Sequence, residues 1–289
     1  MKSYHDIAGD GGSRVLEQVT ALRARVVENL AAVHRRLAIA SGKGGVGKST
    51  LTHQLALAAA RAGRRVAVLD ADLNGPSQAR IAGLRSTPLL PGRRGLAMPR
   101  SAAGIGVVSM GSLVPEGRAL ELPSVSAGDS QTWRATAELT FLFELLASVE
   151  WGELDLLLFD LPPGAERTVQ YVEALGPRTE VALVTIPSQL SYGVVARSVA
   201  ALAAAGVTPL GYVENMSGYY CAQCRAVQPL FPETPDADLG LPCLGRVPFD
   251  PDLASLCDDG ALERFDRDRP AAKAIDDVYA SLSPRRGRR

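Results

Sequence analysis

Four glycines and two lysines lie within one short stretch of the chain, at the spacing of a phosphate-binding loop. Gly42, Gly47, Lys48 and Ser49 satisfy the pattern G-x-x-x-x-G-K-[ST]. In such a loop the backbone N–H groups surround phosphate oxygens, the lysine reaches the β- and γ-phosphates, and the hydroxyl lies on Mg²⁺. The pattern predicts a Mg²⁺–nucleotide site with Lys48 as a catalytic residue, built from Gly42, Lys43, Gly44, Gly45, Val46, Gly47, Lys48, Ser49 and Thr50.

The segments on either side of this loop predict a strand and a helix. Residues 37–40 are apolar and predict a buried strand, whereas residues 51–62 are rich in alanine and leucine and predict a helix. A loop between a strand and a helix N-terminus favours anions, because free N–H groups and the helix dipole point at the ligand. This context supports a phosphate site and disfavours a chance match in a glycine-rich turn.

Two further apolar segments end in an aspartate. Residues 66–70 end at Asp70, with Asp72 two residues later, and residues 154–160 end at Asp160. Carboxylates at the C-terminal ends of parallel strands lie at the ligand-binding edge of the sheet. We expect Asp160 to hold the Mg²⁺ shell. We expect Asp72 to position an attacking water or to hold Mg²⁺ through water.

Cys221 and Cys224 form a C-x-x-C pair, which holds two thiolates close enough to share one metal or cluster. Zinc or a 4Fe–4S cluster takes four ligands, and a twofold dimer would supply four sulfurs. A 4Fe–4S cluster that bridges a dimer is the favoured interpretation. The alternatives are zinc (in a dimer, or with Cys243 as a third ligand), a redox pair, and incidental thiols. Cys257 lies in a predicted helical run and is expected in the core.

Composition limits the class of protein. The chain has 289 residues, 46% of them hydrophobic, and a formal net charge of zero. Without a basic excess, nucleic acid is not an expected partner. No apolar run reaches the length of a membrane span, and the N-terminus lacks a signal-peptide core, so we expect no membrane partner and a cytoplasmic location. Four cysteines in such a protein favour metal or redox chemistry over disulfides.

Strands alternate with helices from residue 37 to residue 250. This order predicts an α/β fold with a doubly wound, mostly parallel sheet flanked by helices, and a nucleotide at the C-terminal edge of the strands. We expect the chain to have three parts. The first is an N-terminal extension over residues 1–35, which is disordered over 1–13 and then forms an amphipathic helix. The second is a single ATPase domain over residues 36–283 that carries the C-x-x-C loop, and the third is a basic tail over residues 284–289.

The pattern as a whole resembles the Mrp-type iron–sulfur carriers. These belong to the deviant Walker A class of P-loop NTPases, together with the Min-type and ParA-type ATPases and the nitrogenase iron protein. The resemblance covers roughly residues 36–260. The segments that carry it are K-G-G-V-G-K-S-T at 43–50, D-x-D-x-x-G-P-S at 70–77, D-L-P-P-G at 160–164, E-N-M-S at 214–217 and G-x-V-P-x-D at 245–250.

The resemblance implies roles for single residues. Lys43 reaches across a dimer interface to the partner's nucleotide, and Asp72, in switch I, takes part in hydrolysis. The backbone of switch II meets the γ-phosphate, and the amide of Asn215 pairs with the adenine edge. Besides the phosphate-binding loop, the residues implied to lie at the nucleotide are Asp160, Pro163, Gly164, Asn215 and Pro248.

The chain departs from the family pattern in three places. Ala165, Glu166 and Arg167 follow D-L-P-P-G, where the family usually has T-G-D. Arg225 follows the second cysteine, where the family often has glycine. The segment 229–235 stands where the family has a glycine-rich stretch.

The resemblance implies a homodimeric ATPase that binds ATP and Mg²⁺, holds a 4Fe–4S cluster shared across the dimer on Cys221 and Cys224, and delivers it to apo-proteins. We predict that ATP closes the dimer through Lys43 and the switches and so changes the lability of the cluster. The alternative is a Min/ParA-like regulatory or positioning ATPase, with a zinc-binding or structural C-x-x-C. Neither a membrane-targeting helix nor a basic DNA-binding surface is evident. A small-molecule phosphotransferase would need a substrate domain, and none is evident.

Overall fold

The structure is a computed structural model that describes residues 15–72, 75–85, 87–109, 131–232 and 239–282. The expected disordered segment 1–13 and the basic tail 284–289 lie outside these ranges. The strands are β1 Arg36–Ser41, β2 Val66–Asp70, β3 Leu90–Pro91, β4 Leu96–Ala97, β5 Gly106–Ser109, β6 Leu156–Asp160, β7 Thr179–Thr185, β8 Gly211–Cys221, β9 Ala226–Gln228 and β10 Cys243–Phe249.

One parallel sheet forms the centre of the described chain, with the strand order β10-β8-β7-β1-β6-β2-β5. Strand β9 extends it as an antiparallel partner of β8, and β3 pairs with β4 in a separate two-stranded ribbon. The helices are α1 Val15–Asn29, α2 Lys48–Arg61, α3 Gln78–Ile81, α4 Gln131–Ser148, α5 Ala165–Leu175, α6 Gln189–Ala204, α7 Pro251–Asp259 and α8 Pro270–Leu282, with a 3₁₀ turn at Leu262–Arg264.

Two apolar layers cover the two faces of this sheet. One contains side chains of α1, α4, α5 and α6, and the other contains side chains of α2, α3, α7 and α8. Strand β2 is buried along its whole length; Ala67 and Leu69 pack into the first layer, while Val66 and Val68 pack into the second. This alternation explains why the strand is a continuous apolar run, since both of its faces meet helices. The predicted doubly wound α/β fold is confirmed.

The register of the strands brings the ends of β1, β2 and β6 to one edge. Asp160 pairs with Ile39 on one side and with Asp70 on the other. The phosphate-binding loop follows β1 directly, so it begins beside both carboxylates. The sheet therefore assembles at one edge three segments that are far apart in sequence.

The N-terminal helix is shorter than the sequence predicts. It ends at Asn29, and the chain then turns so that Val33 forms a parallel bridge with Leu154. The Asn29 side chain donates hydrogen bonds of 2.7 Å to the carbonyls of Leu146 and Val149, at the end of α4. These bonds, and the burial of Leu30, attach the amphipathic helix to the core.

None of the helices in the described ranges is long and apolar enough to cross a bilayer.

Candidate functional site

An open cavity of about 470 Å³ lies at the C-terminal edge of the sheet. Its lining includes most of the phosphate-binding loop, from Gly44 to Thr50, together with Asp72 and the segment 75–77 that follows it. Pro163 lines another part, and Cys257 and Asp258 of α7 close it on the side of α3. The cavity thus gathers the predicted switch I and switch II segments around the loop.

The phosphate-binding loop has the backbone that the motif requires. Gly47 caps the N-terminus of α2 in the left-handed region, with φ 78°, and the helix begins at Lys48. A Cβ built on Gly47 would lie 2.1 Å from Asn215 Nδ2, so conformation and space both demand glycine. The helix therefore starts inside the loop, three residues earlier than predicted. Its first N–H groups point into the anion site.

Two buried hydroxyls support a polar ligand in this cavity. Ser41 and Ser77 both line it, and within the described chain their Oγ atoms are buried without a hydrogen-bond partner. Buried polar atoms without partners are rare in folded proteins and mark places where water, an ion or a ligand binds. Together with the glycine cradle and the carboxylates, these hydroxyls fit a Mg²⁺-bound phosphate group.

The predicted lysine and the predicted Mg²⁺ carboxylate are paired with each other. The Lys48 ammonium contacts Asp160 Oδ1, and both side chains are buried, with 8% and 0% exposed. Thr52 Oγ1, one turn into α2, lies 3.4 Å from the same oxygen. Lys48 must leave this carboxylate to reach a phosphate. The same movement frees Asp160 Oδ1 for the shell of a metal ion.

Asp72 lies at the cavity and shapes its own loop. Its Oδ1 accepts a 3.3 Å hydrogen bond from the Gly75 N–H, and its own N–H donates to Asp70 Oδ1 at 3.1 Å. Its carboxylate lines the cavity opposite the phosphate-binding loop. This position is consistent with the predicted contact to water or to hydrated Mg²⁺, and the role itself remains a prediction.

Asp70 is a site residue that the sequence interpretation passed over. It is fully buried and accepts hydrogen bonds from the N–H groups of Ser77 and Gln78, at 2.7 and 2.9 Å, and from the Ser109 hydroxyl at 3.1 Å. Burial, followed by the charge of Asp160, raises the pKa of Asp70, while the donated backbone N–H bonds oppose the shift. Asp70 therefore organises the loop that carries Asp72. Its position as the last residue of an apolar strand was the available signal.

Switch II lies against the phosphate-binding loop. Gly164 is in an extended conformation with φ 115°, which favours glycine, and its N–H donates to the Ser41 carbonyl at 2.9 Å. Pro163 lines the cavity, and a Cβ on Gly44 would lie 4.0 Å from its ring. The structure thus brings both predicted switch II residues to the loop.

The predicted adenine-side residues lie on the other side of the loop. Asn215 Nδ2 donates to the Val46 carbonyl at 2.9 Å, which leaves Oδ1 and the second amide hydrogen available. Asn215 pairs with Val247 across β8 and β10, and the predicted Pro248 is the next residue and is buried. Asn215 thus contacts the phosphate-binding loop, but neither residue is among those that line the cavity, and their contact with adenine stays a prediction.

Lys43 and Gly42 occupy the start of the loop, away from the cavity wall. Lys43 is half-buried, and among the described residues it is not part of the cavity lining. A Cβ on Gly42 would lie 2.3 Å from Val194 Cγ1, so Gly42 is where the loop packs on α6. Lys43 therefore shares the loop with Lys48 without lining the cavity, and its role at a partner's nucleotide stays a prediction.

The two cysteines of the C-x-x-C pair lie on a β-hairpin. Cys221 is the last residue of β8 and pairs with Ala226 of β9, and Cys224 is exposed in the turn between them. Hydrogen bonds from Cys224, through its backbone and then its side chain, and from the Gln223 backbone lower the pKa of Cys221, which favours the thiolate that binds metals. A reactive redox pair is instead typical of a helix N-terminus.

The alternative in which Cys243 is a third metal ligand within one chain is wrong. It pairs with Tyr212 at the start of β8, nine residues before Cys221, so the two cysteines lie toward opposite ends of this strand. Over the described ranges, no group of three or more His, Cys, Asp or Glu side chains could hold a metal ion. Cys257 is buried in α7, as predicted, and its thiol lies 3.6 Å from Thr50 Oγ1. The C-x-x-C hairpin therefore offers two thiols per chain.

A parallel sheet with a phosphate-binding loop after β1 and a carboxylate at the end of β6 defines the class of P-loop NTPases. Residues 32–283 match the model of a family described as ParA: NUBPL iron-transfer P-loop NTPase, and the chain belongs to that family.

Relatives by sequence carry iron–sulfur names. The chain is 35% identical over 254 residues to the cytosolic Fe-S cluster assembly factor NUBP2 of Gallus gallus, covering 85% of this chain and 88% of the relative. It is 34% identical over 252 residues to the iron-sulfur cluster carrier protein of Saccharolobus solfataricus, covering 86% and 82%.

Solved structures agree with this class. A nucleotide-binding protein from Archaeoglobus fulgidus, in complex with ADP, has a TM-score of 0.70 and 31% identity, over 84% of this chain and 93% of that one. The cell division ATPase MinD of Pyrococcus furiosus has a TM-score of 0.61 and 23% identity, over 86% and 98% of the two chains. The second likeness shows a shared fold.

Proposed function

We propose that this protein is an ATP-hydrolysing iron–sulfur cluster carrier, which holds a bridging 4Fe–4S cluster on a homodimer and transfers it to apo-proteins. The observation that carries the proposal is that both sites face the same edge of the sheet. Asn215, at the phosphate-binding loop, and Cys221, at the hairpin, lie on the same strand, six residues apart. The names of the relatives support the cluster as the cargo.

The residues of the proposed nucleotide site have separate roles. Lys48 and the N–H groups of its loop hold the β- and γ-phosphates. Ser49 and Asp160 would hold Mg²⁺, which would neutralise the charge on the phosphate oxygens. Asp72 positions the attacking water, and the backbone of Gly164 meets the γ-phosphate after releasing Ser41. Asn215, with Pro248 beside it, holds the adenine. Residues 36–283 form the domain that contains all of these groups.

The dimer follows from what a single chain lacks. One hairpin supplies two thiols, and a cluster takes four, so two hairpins must meet on a twofold axis. Lys43 does not line the cavity of its own chain, and we assign it to the nucleotide of the partner. ATP then closes the same face of the molecule that holds the cluster. Hydrolysis opens that face and releases the cluster to an apo-protein.

The partners and the cellular location belong to the same proposal. We expect a second copy of the chain and iron–sulfur recipients as partners, without nucleic acid and without a membrane. The formal charge of zero supports this expectation. A relative is named a cytosolic factor, and we place this protein in the cytoplasm.

Metal analysis tests the proposal. The wild type and Cys221→Ser are purified without oxygen, and iron, sulfide and zinc are quantified together with an absorption spectrum. We expect about four iron and four sulfide per wild-type dimer and their loss in Cys221→Ser. Cys243→Ser is the matched control, because it removes an exposed thiol at the far end of the same strand pair.

Two results would contradict the carrier function. One is zinc in place of iron, and the other is a wild type that stays metal-free after reconstitution. Either result would favour the alternative hypothesis, a Min/ParA-like regulatory ATPase with a zinc-binding or structural hairpin. If iron is found, transfer to an apo-protein with and without ATP is the next measurement.

A further inference from the structure

Gln78 is a fully buried polar side chain at the meeting point of three segments of the nucleotide site. Its Nε2 donates 2.9 Å hydrogen bonds to the Ser49 carbonyl and to Asp160 Oδ2. Its own N–H donates to Asp70 Oδ2 at 2.9 Å. Gln78 is the first residue of α3, directly after the loop that carries Asp72. One residue thus ties switch I, the phosphate-binding loop and the Mg²⁺ carboxylate together.

The orientation of this amide is determined by its neighbours. The Ser49 carbonyl and the Asp160 carboxylate only accept hydrogen bonds, so the NH₂ group of Gln78 must face them. The Oε1 atom then faces His53, whose Nδ1 lies 3.1 Å away. Because Oε1 only accepts, Nδ1 of His53 must carry the proton.

The ring of His53 is buried, and its role in this arrangement is to donate a hydrogen bond to Gln78. It lies in α2, one turn after Ser49, and has no exposed surface. Burial is the main cause that lowers its pKa to about 4, so the ring is neutral at neutral pH. Its Nε2 has no hydrogen-bond partner within the described chain. The hydrogen bond to Gln78 is therefore the polar contact that the structure gives this side chain.

Asp160 needs a second support when Lys48 leaves it. In the structure Oδ1 contacts Lys48 and Oδ2 accepts from Gln78. A bound nucleotide draws the ammonium to its phosphates, and the carboxylate loses its only cation among these contacts. A neutral amide holds the carboxylate in place without cancelling its charge, which leaves Oδ1 oriented and negative for hydrated Mg²⁺.

We propose that Gln78, fixed by His53, is a positioning residue that holds Asp160 for Mg²⁺ and links that carboxylate to switch I. This inference rests on the nucleotide chemistry of the proposed function and does not depend on the cluster. An apolar side chain would fill the same buried space without a desolvation cost, so a glutamine with every amide contact satisfied indicates a specific task.

The Mg²⁺ dependence of nucleotide affinity tests the proposal. A fluorescent ADP analogue is titrated into the wild type and Gln78→Leu, once with Mg²⁺ and once with EDTA. We expect equal affinity in EDTA and a roughly tenfold smaller gain from Mg²⁺ in Gln78→Leu, the usual size of effect for residues that orient metal ligands. Gln54→Leu is the matched control, since it removes another buried glutamine whose Nε2 has no partner in the described chain.

A second pair of variants tests the link through His53. Asparagine places an amide N–H close to where Nδ1–H lies, so His53→Asn should keep the Mg²⁺ gain, while His53→Leu should reduce it. This pair decides the question if Gln78→Leu does not fold. Thermal unfolding of each variant in EDTA identifies those that are folded.

Nitrogen NMR of the nucleotide-free protein gives an independent readout. The chain has three histidines, so selective ¹⁵N labelling resolves His53. We expect the Nδ1–H tautomer in the wild type and its loss in Gln78→Leu. A folded Gln78→Leu with the full Mg²⁺ gain, or an Nε2–H tautomer in the wild type, would overturn the inference. A wild type whose affinity does not respond to Mg²⁺ would instead overturn the nucleotide part of the proposed function.

Discussion

A buried ion pair between Lys48 and Asp160 is the central contact at the scale of single residues. We propose a separate task for each partner at a bound nucleotide, and in the structure each satisfies the charge of the other. A buried charge that loses its partner is strongly destabilising, because the remaining ion stays in a medium that solvates it poorly. Without a ligand, the two buried charges of the site therefore neutralise each other.

Lys48→Met tests this arrangement without a ligand. We expect the free energy of unfolding of the nucleotide-free protein to fall by about 3 kcal/mol, because Asp160 remains buried and unpaired. Urea unfolding in EDTA measures the change. Lys273→Met is the control, since Lys273 is 64% exposed and pairs with Asp268 at 3.9 Å. Equal stability of Lys48→Met and the wild type would show that the pair contributes nothing to the apo state.

At the scale of elements, the β8–β9 hairpin holds the cysteine pair in a tight turn. Arg225 closes this turn with φ 53°, in the left-handed region. A side chain in that region costs about 1 kcal/mol or more relative to glycine. Arg225 is one of the positions at which the chain departs from the family pattern. The structure shows that a residue with a side chain adopts a left-handed backbone there. The chain carries backbone strain next to the two thiols that we propose to bind the cluster.

Arg225→Gly should relieve this strain. We expect the free energy of unfolding to rise by about 0.5 kcal/mol, since the relief exceeds the extra entropy that glycine loses on folding. Arg225→Ala is the matched control, because it removes the charged side chain and keeps the Cβ atom. Urea unfolding of both variants measures the difference. If the alanine variant gains as much as the glycine variant, the left-handed backbone is not the cause.

At the scale of the whole molecule, one edge of the sheet carries both sites. The phosphate-binding loop leaves β1, Asp160 ends β6, and the C-x-x-C hairpin extends β8 beyond Asn215. All of these strands are parallel, so their C-terminal ends point to the same side. A partner that covers the nucleotide on this side also approaches the hairpin. The proposed dimerisation on ATP and the proposed cluster binding would therefore involve the same face of the molecule.

Lys43→Ala should weaken the closed dimer. With a non-hydrolysable ATP analogue, we expect the dimerisation constant to fall at least about tenfold, because a cationic contact at an interface is lost. Sedimentation measures the dimer population with and without the analogue. Lys273→Ala, which removes an exposed lysine elsewhere, should behave as the wild type. An unchanged dimer in Lys43→Ala would mean that this lysine serves its own chain.

The sequence was sufficient for the fold class and for the segments that meet at the candidate site. Strands that are buried on both faces are continuous apolar runs, so residues 66–70 predicted β2 with its observed bounds. The phosphate-binding loop is a local structure, since two glycines with positive φ, Gly45 and Gly47, and the following helix N-terminus determine it. The carboxylates at strand ends were predictable because a parallel sheet puts all such ends at one edge.

Only the tertiary structure decided which of these groups touch. Gln78 and His53 carry no motif, and they lie 25 residues apart, so their contact with each other and with Asp160 depends on how α3 packs on α2. Cys243 looked available as a metal ligand until strand pairing placed it at the opposite end of β8 from Cys221. Local patterns determine elements, because their forces act between near neighbours. The partners of a buried polar group are set by packing between distant segments.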